Sequence, residues 1–355
     1  MPSRLHVGLV YGGLSPEHEV SILSARNVFA SLRDRHRVTP LYITREGQWL
    51  AVPPEALAEG AGASGARPVS FAPHSGSCTL VLAGGAPEEL DLDVVFPVLH
   101  GVNGEDGRVQ GFLQTLGLPF VGPDALGSAV CMDKEVAKRL MERAGLPVTP
   151  YRVAHRGEAV AWGPLAEALG TPLFVKPSSS GSSVGVTKVE REEGLQAALD
   201  HAFAFDKKVL IETAVSGREI ECAVLGNEAP EASTPGEIVS TAQFYTYDAK
   251  YEDPEASRME VPADLPADTA ARVRSLALRA VRALEAEGMA RVDTFVTADG
   301  EVYVNEVNTI PGFTSRSMYP VMWAHDSLHG PALADRLLDL ALERHARDAA
   351  IQTTR

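Results

Sequence analysis

The sequence predicts a layered fold, part α/β and part α+β. Three observations carry this expectation. Apolar runs of strand length alternate with amphipathic runs of helical spacing along the whole chain. Two apolar runs, near residues 5–11 and 92–99, break off into glycine-rich polar loops, the pattern of parallel strands whose carboxyl ends border a cleft. The composition, 45% hydrophobic and 22% charged over 355 residues, is that of a globular chain long enough for two or three domains.

The elements follow in order. The run at 5–11 ends at Gly12-Gly13, and Ser15-Pro16-Glu17-His18-Glu19 then opens a helix. Ser at the N-cap, Pro at the first helical position and acids in the first turn are all start signals. A second strand lies near 38–43, and residues 53–66, rich in Ala, Gly and Pro, read as a surface loop without function. The strand at 92–99 runs into His100-Gly101 and a polar loop, so the first third reads as an open parallel sheet. Gly122-Pro123 punctuates the chain and begins a helical stretch to about Gly145.

A second unit has strands near 150–153, 172–176, 186–189 and 209–212, helices near 159–169 and 192–204, and a Gly/Ser loop at 178–185. The remainder reads as mixed sheet plus helices, with strands near 219–225 and 236–239 and a long polar, aromatic loop at 243–263. After Pro266, Val273, Leu276, Ala277, Ala280, Val281 and Leu284 form one apolar helical stripe. Strands at 292–297 and 301–307 form a hairpin across Ala298-Asp299-Gly300, and a last amphipathic helix spans 332–347.

A formal charge of −15 disfavours a nucleic-acid partner, since phosphate-backbone binding wants a basic face. No run of ~18 apolar residues is present, so no transmembrane helix is expected. The short apolar N-terminal run ends in a glycine turn rather than a small-residue cleavage site, so no signal peptide is expected either. Cys78, Cys131 and Cys222, odd in number and widely spaced, fit a reducing cytosol and no catalytic role.

Three segments carry chemistry. In the hairpin, residues two apart share a face, which groups Glu306 with Asn308 and Arg291 with Asp293. If the strands pair, two carboxylates, an amide oxygen and a guanidinium converge, a donor set that suits Mg²⁺ beside phosphates. An ordinary solvated hairpin face fits the same pattern. Thr309-Ile310-Pro311-Gly312-Phe313-Thr314-Ser315-Arg316-Ser317 follows as a rigid turn rich in hydroxyls and free backbone N–H groups. Second, Lys176-Pro177 precedes the Gly/Ser loop, whose small residues let a backbone approach phosphates while a lysine adds charge. A flexible hairpin loop is equally compatible. Lys134, after Met132-Asp133, taken alone is a solvated lysine. Third, Glu212 ends an apolar strand and Glu219 follows; they could read a base amino group and a ribose, or be exposed.

These pieces, in this order, resemble the ATP-grasp superfamily and, within it, the D-alanine–D-alanine ligases. The motifs are Gly12-Gly13 with Ser15-Pro16-Glu17-His18-Glu19-Val20-Ser21, His100-Gly101 with Gly104-Glu105-Asp106-Gly107, and Met132-Asp133-Lys134. Lys176-Pro177 with Gly181-Ser182-Ser183-Val184-Gly185, Phe244 to Tyr251, Arg291-Val292-Asp293, and Asn305-Glu306-Val307-Asn308-Thr309 with Pro311-Gly312 complete them. Each is weak alone; seven in one order over residues 12–318 are specific.

The resemblance implies an ATP-grasp fold with a Rossmann-like N-terminal domain at 1–122, a central lid domain at 123–213 and a C-terminal catalytic domain at 214–355. It implies ATP-dependent joining of two D-alanines through an acylphosphate, for peptidoglycan synthesis. It also implies two Mg²⁺ ions (Mn²⁺ as an alternative), a homodimer, a cytoplasmic location, and neither nucleic-acid nor membrane partners. Asp293, Glu306 and Asn308 would hold the metal. Lys134 and Lys176 would bind phosphates under the loop of Ser182 and Ser183, and Lys250 would approach the transferred phosphoryl group. Glu212 and Glu219 would contact adenine and ribose, with the backbone of 213–215. Glu19 would pair with the ammonium of the first D-alanine, positioned by Ser182 and Tyr251, with His100 nearby. Arg291 and the Gly312 N–H would stabilise the tetrahedral oxyanion. Ser317 and the Met318 backbone would bind the second carboxylate.

Glu212-Thr213-Ala214-Val215 departs from the resemblance, since an aromatic or lysine is commoner after the acid; altered packing is expected there. His325 and His329 are expected on a loop, not as a metal pair. The nearest rival joins D-alanine to D-lactate, but Asp248-Ala249-Lys250-Tyr251 resembles the dipeptide-forming version. Another ATP-grasp ligase would lack the Glu19 helix start and the Ser317 turn. A non-catalytic relative would have lost Arg291 or a metal ligand.

Overall fold

Three sheets are built from the alternating runs. The computed structural model describes residues 4–60, 63–74, 77–82, 88–240 and 257–352. The first sheet holds β1 (His6–Gly12), β2 (Arg37–Ile43), β3 (Trp49–Ala51), β4 (Arg67–His74), β5 (Ser77–Leu82), β6 (Glu88–Leu90) and β7 (Val94–Pro97). The second holds β8 (Tyr151–His155), β9 (Leu173–Pro177), β10 (Thr187–Val189) and β11 (Lys208–Thr213). The third holds β12 (Gly217–Gly226), β13 (Glu231–Ala232), β14 (Gly236–Ser240), β15 (Ser257–Glu260), β16 (Gly288–Thr297) and β17 (Val302–Asn308).

The first sheet runs β6-β5-β4-β3-β2-β1-β7. β1 pairs in parallel with β2 and with β7, while β3 to β6 continue the sheet as an antiparallel ribbon. The sequence predicts an open parallel sheet here. Two prolines in β4 and a strand as short as β6 hide that ribbon from a pattern reading, since such strands sit at sheet edges. The expected loop at 53–66 also contains a short helix, Pro54–Glu59, opened by proline.

The second sheet, order β10-β9-β11-β8, is antiparallel and has its own core with the helices Trp162–Leu169 and Leu195–Phe203. In the third, order β15-β14-β12-β16-β17, all pairs are antiparallel and β13 adds to β12. The helix Ala267–Ala283 lays Val273, Leu276, Ala277, Ala280 and Val281 on this sheet, the stripe its spacing predicts. The segment expected as a loop at 243–263 contains β15, paired with β14; residues 241–256 lie outside the described residues.

The helical stretch after Gly122 is two helices, Ala125–Met132 and Lys134–Arg143, broken at Asp133. Asp133 caps the second helix, accepting from the Val136 N–H at 3.2 Å. Cys131, Ala137, Met141 and Leu146 share a core with Val292 and Val304 of the third sheet. These helices therefore pack as part of the third layer, whereas the sequence division grouped them with the second.

A further core joins the first and third layers. Phe313 is fully buried, with ring centroids of Phe96 and Tyr319 each 6.0 Å away. Arg344, from the helix Gly330–Ala349, donates to the carbonyls of Gly122 and Phe120 and lies 4.6 Å from the Phe120 ring centroid. His325 ends the helix Met318–His325, and His329 caps Gly330–Ala349, whose first turn takes up Gly330 and Pro331 instead of leaving them in a loop. No described helix is long and apolar enough to cross a membrane.

Because Phe313 fills the seam between two layers, Phe313→Ala should cost about 3–5 kcal/mol by cavity creation. Urea unfolding of the two proteins, at equal m-value, reads this directly.

Candidate active site

Two cavities meet where the three layers converge. The smaller, about 310 Å³, lies between the second and third sheets and is lined by Lys134, Lys176, Glu212, Glu219 and Asn305 among others. The larger, about 1220 Å³, is lined by Glu17, His100, Arg291, Asn308, Gly312 and Ser317 among others. Ser182, Gly181, Glu221 and Glu306 belong to both walls.

In the smaller cavity, Lys176 from β9 places Nζ 2.7 Å from Glu212 Oε2 on the neighbouring strand β11 and 3.3 Å from Asn305 Oδ1. Burial pulls the Glu212 carboxyl pKa up, but Lys138 and Lys176 outweigh it and hold the carboxylate charged. Lys134 opens its helix and reaches Ser180 O at 2.7 Å and Glu306 Oε2 at 3.3 Å. That helix start is itself fixed: Lys208 Nζ lies 2.7 Å from both Asp133 and Glu135, and Ser178 Oγ donates to Asp133 at 2.8 Å. Ser183, Thr213 and Val215 line the same cavity.

The hairpin brings its polar residues together as the strand period requires. Arg291 pairs with Asn308 and Asp293 with Glu306 across β16 and β17, and Glu221 of β12 stands opposite Asp293. Arg291 clasps Asp293 with Nε and Nη2 at 2.7 Å each, and its Nε is 3.0 Å from Glu221 Oε2. Burial opposes the guanidinium charge, yet Asp293 and Glu221 raise its pKa well above the usual value. A β-bulge after Asp293 leaves Asn305 as an extra residue, so Asn305 and Glu306 both reach the smaller cavity.

Asn308 Nδ2 donates to Asp293 Oδ2 at 2.9 Å, which aims its amide oxygen away from that carboxylate. Two facing carboxylates and an amide oxygen fit Mg²⁺ completed by phosphate oxygens. Among the described residues no group of three or more His, Cys, Asp or Glu could hold a metal by itself, so a cation here would depend on its phosphate ligands.

The larger cavity corrects one expectation. Glu19 is exposed and pairs with Arg45 at 2.7 Å. The carboxylate facing the cavity is Glu17, at the N-cap of the helix His18–Leu32, and Ser182 Oγ donates to it. Residues two apart on a helix point about 200° apart, so only one of the two acids can look inward. Close packing holds Glu17 there: a Cβ added at Gly101 would come within 2.6 Å of both Glu17 Oε2 and Ser15 Oγ. Ser182 and Ser183 take left-handed backbone angles, φ 49° and 59°, at a cost of order 1–2 kcal/mol each. That turn aims the Ser182 hydroxyl across to Glu17.

His100 is buried between Ser24 Oγ, at 3.1 Å, and Ile310 O, at 3.0 Å; burial lowers its pKa and favours the neutral ring. Next to it Glu105 accepts from the N–H groups of Gly101 (2.8 Å) and Ile310 (3.4 Å). Burial, then the neighbouring Glu17, pushes the Glu105 carboxyl up to about 8. Ser317 caps the helix Met318–His325, and its Oγ accepts from the Thr314 N–H at 3.0 Å. Gly312 and Met318 complete this wall. Lys250 and Tyr251 lie outside the described residues.

Residues 6–123 match the family model of the D-ala D-ala ligase N-terminus, and residues 140–339 that of the C-terminus. The chain belongs to the D-alanine–D-alanine ligase family. It is 47% identical to D-alanine–D-alanine ligase A of Chromobacterium violaceum over 98% of both chains. It is 46% identical to that of Salmonella typhimurium over 99% of this chain and 100% of the other. Among solved structures it resembles the D-alanine–D-alanine ligase from Coxiella burnetii, with TM-score 0.88, 36% identity, and 98% and 96% of the two chains covered. The VanG D-Ala:D-Ser ligase from Enterococcus faecalis gives TM-score 0.85 and 36% identity over 96% and 100%.

Besides Glu17, three cleft residues and the buried Lys138 behind the cleft were given no role by the sequence. Glu221 follows Glu219 on the same strand face and Lys138 follows Lys134 by one helical turn, so periodicity could have found both. Glu105 stood in a quoted motif without a role. Asn305 depends on the bulge, which no pattern announces. The raised Glu105 pKa has a consequence for stability. Its contribution is fully present below the unfolded carboxyl value and is lost as pH rises towards about 8. Glu105→Gln should therefore remove part of the fall in stability between those limits, seen as a smaller difference in urea midpoint between acid and mildly alkaline buffer.

Proposed function

We propose that this chain joins two D-alanine molecules at the expense of ATP, supplying the D-alanyl-D-alanine of peptidoglycan precursors. The observation that carries the reading is the shared wall: a lysine-lined cavity and a cavity bearing Glu17, Arg291 and Ser317 meet at Ser182 and Glu306. A phosphate donor in one and an amino-acid carboxylate in the other would touch there.

The chemistry divides accordingly. Lys134 and Lys176 bind the polyphosphate, and Glu212 and Glu219 take the base and ribose. Asp293, Glu306 and Asn308 are the residues to hold Mg²⁺, which when bound neutralises the phosphates during transfer. Glu17, not Glu19, receives the ammonium of the first D-alanine. The carboxylate oxygen of that D-alanine forms a bond to the γ-phosphorus, and the bond to ADP breaks. The amine of the second D-alanine then attacks the acyl carbon. Its oxyanion is stabilised by Arg291 and the Gly312 N–H, and collapse expels phosphate while the amine loses a proton. Ser317 and the Met318 backbone hold the second carboxylate. An acylphosphate hydrolyses readily, so the 178–185 loop closing over it excludes water. A cytoplasmic homodimer accords with this reading.

Phosphate release from ATP tests the function, with D-alanine alone, L-alanine alone, and D-alanine plus D-lactate or D-serine. Turnover with D-alanine alone and little gain from the other acceptors is expected; a strong gain with D-serine would move the reading to the acceptor named for the Enterococcus relative. Arg291→Met should lower kcat by roughly 10²–10³, the loss of an oxyanion donor, beyond any weakening of nucleotide binding caused by unpairing Asp293. Steady-state kinetics should show Glu17→Gln raising the KM for the first D-alanine far more than Glu19→Gln does. A larger rise with Glu19→Gln would return the ammonium to Glu19.

A further inference from the structure

Lys138 is fully buried and lines neither cavity. Its Nζ lies 3.1 Å from Glu212 Oε1 and 3.2 Å from Thr149 O, with the Tyr151 ring centroid 5.5 Å away. The other oxygen of Glu212 takes Lys176 at 2.7 Å. One carboxylate is thus held between two ammonium groups: Lys176 from the cavity side, Lys138 from behind.

The two contacts differ once the cavity fills. Phosphates entering it compete with Glu212 for Lys176, because Lys176 faces the same space. They cannot reach Lys138. A buried carboxylate deprived of its cation takes up a proton or turns away, and either change alters the acceptor it offers a base. We infer that Lys138 is a positioning residue for the nucleotide: it keeps Glu212 charged and oriented from behind while bound phosphates engage Lys176. This rests on the reading of the smaller cavity as the ATP site. The groups facing Lys138 are Glu212 and Lys176 of the second sheet, Tyr151 on its edge strand and Glu306 of the third sheet. Burial pushes the ammonium pKa down to about 8, with Lys176 adding to the fall and Glu212 resisting it.

Titration of the full-length protein with ADP and Mg²⁺ tests the inference. Lys138→Met keeps an unbranched stem and should weaken ADP about tenfold, leaving the KM for D-alanine within about twofold. In a Glu212→Gln background the same substitution should add less than about twofold, since it acts through the carboxylate. A loss below twofold in the native background, or equal losses in both backgrounds, overturns the inference. If Lys176→Met and Glu212→Gln also leave ADP affinity unchanged, the nucleotide reading of the cavity falls with it. Should Lys138→Met not fold, Lys138→Gln takes its place in both backgrounds, with the same expected and overturning results.

Discussion

The pairing of Arg291 with Asp293 and Glu221 is the interaction on which the cleft depends. A buried guanidinium without partners is costly to stability, and so is a buried carboxylate. Here each satisfies the other, with bidentate geometry on one side and a second acid at 3.0 Å on the other. The pairing fixes the face of β16 that looks into the cleft. Through the strand register it also fixes where Glu306 and Asn308 stand. The bulge after Asp293 then turns Asn305 towards Lys176, so one irregularity in the ladder links the third sheet to the second.

The layers are further tied at the lip of the cleft. Ser182 bonds Glu17 across 165 residues of sequence, and Lys134 reaches the Ser180 carbonyl. Both contacts hold the Gly/Ser loop down over the junction of the cavities. The backbone strain at Ser182 and Ser183 is offset by these contacts, and the loop can relax only by giving them up. A lid of this kind suits a reaction whose intermediate must not meet water.

Much of this was legible in the chain. The hairpin of 291–308, the apolar stripe after Pro266 and the lysine before the Gly/Ser loop are local features, and local periodicity reads them. Where the reading failed, the determining contact was distant. Glu17 and Glu19 are both acids in one helix start, and only Gly101 and Ser182, far along the chain, decide which looks inward. The break at Asp133 is invisible to a helical pattern, because its cause is Lys208 and Ser178 drawing the side chain aside. The ribbon of β3 to β6 is weakly patterned because its strands are short and carry prolines.

The opening charge of −15 takes on a specific meaning in the cleft. In the smaller cavity Glu212, Glu219, Glu221, Asp293 and Glu306 line the wall with Lys134 and Lys176. The acids outnumber the cations before any ligand enters. Glu105, on the wall of the larger cavity, is pushed up to about 8, first by burial and then by Glu17. A triphosphate would add several more negative charges to this space, more than Lys134 and Lys176 can balance. The carboxylates of β16 and β17 would repel bare phosphates, and on the proposed reading they would favour a metal-bound nucleotide over a free one.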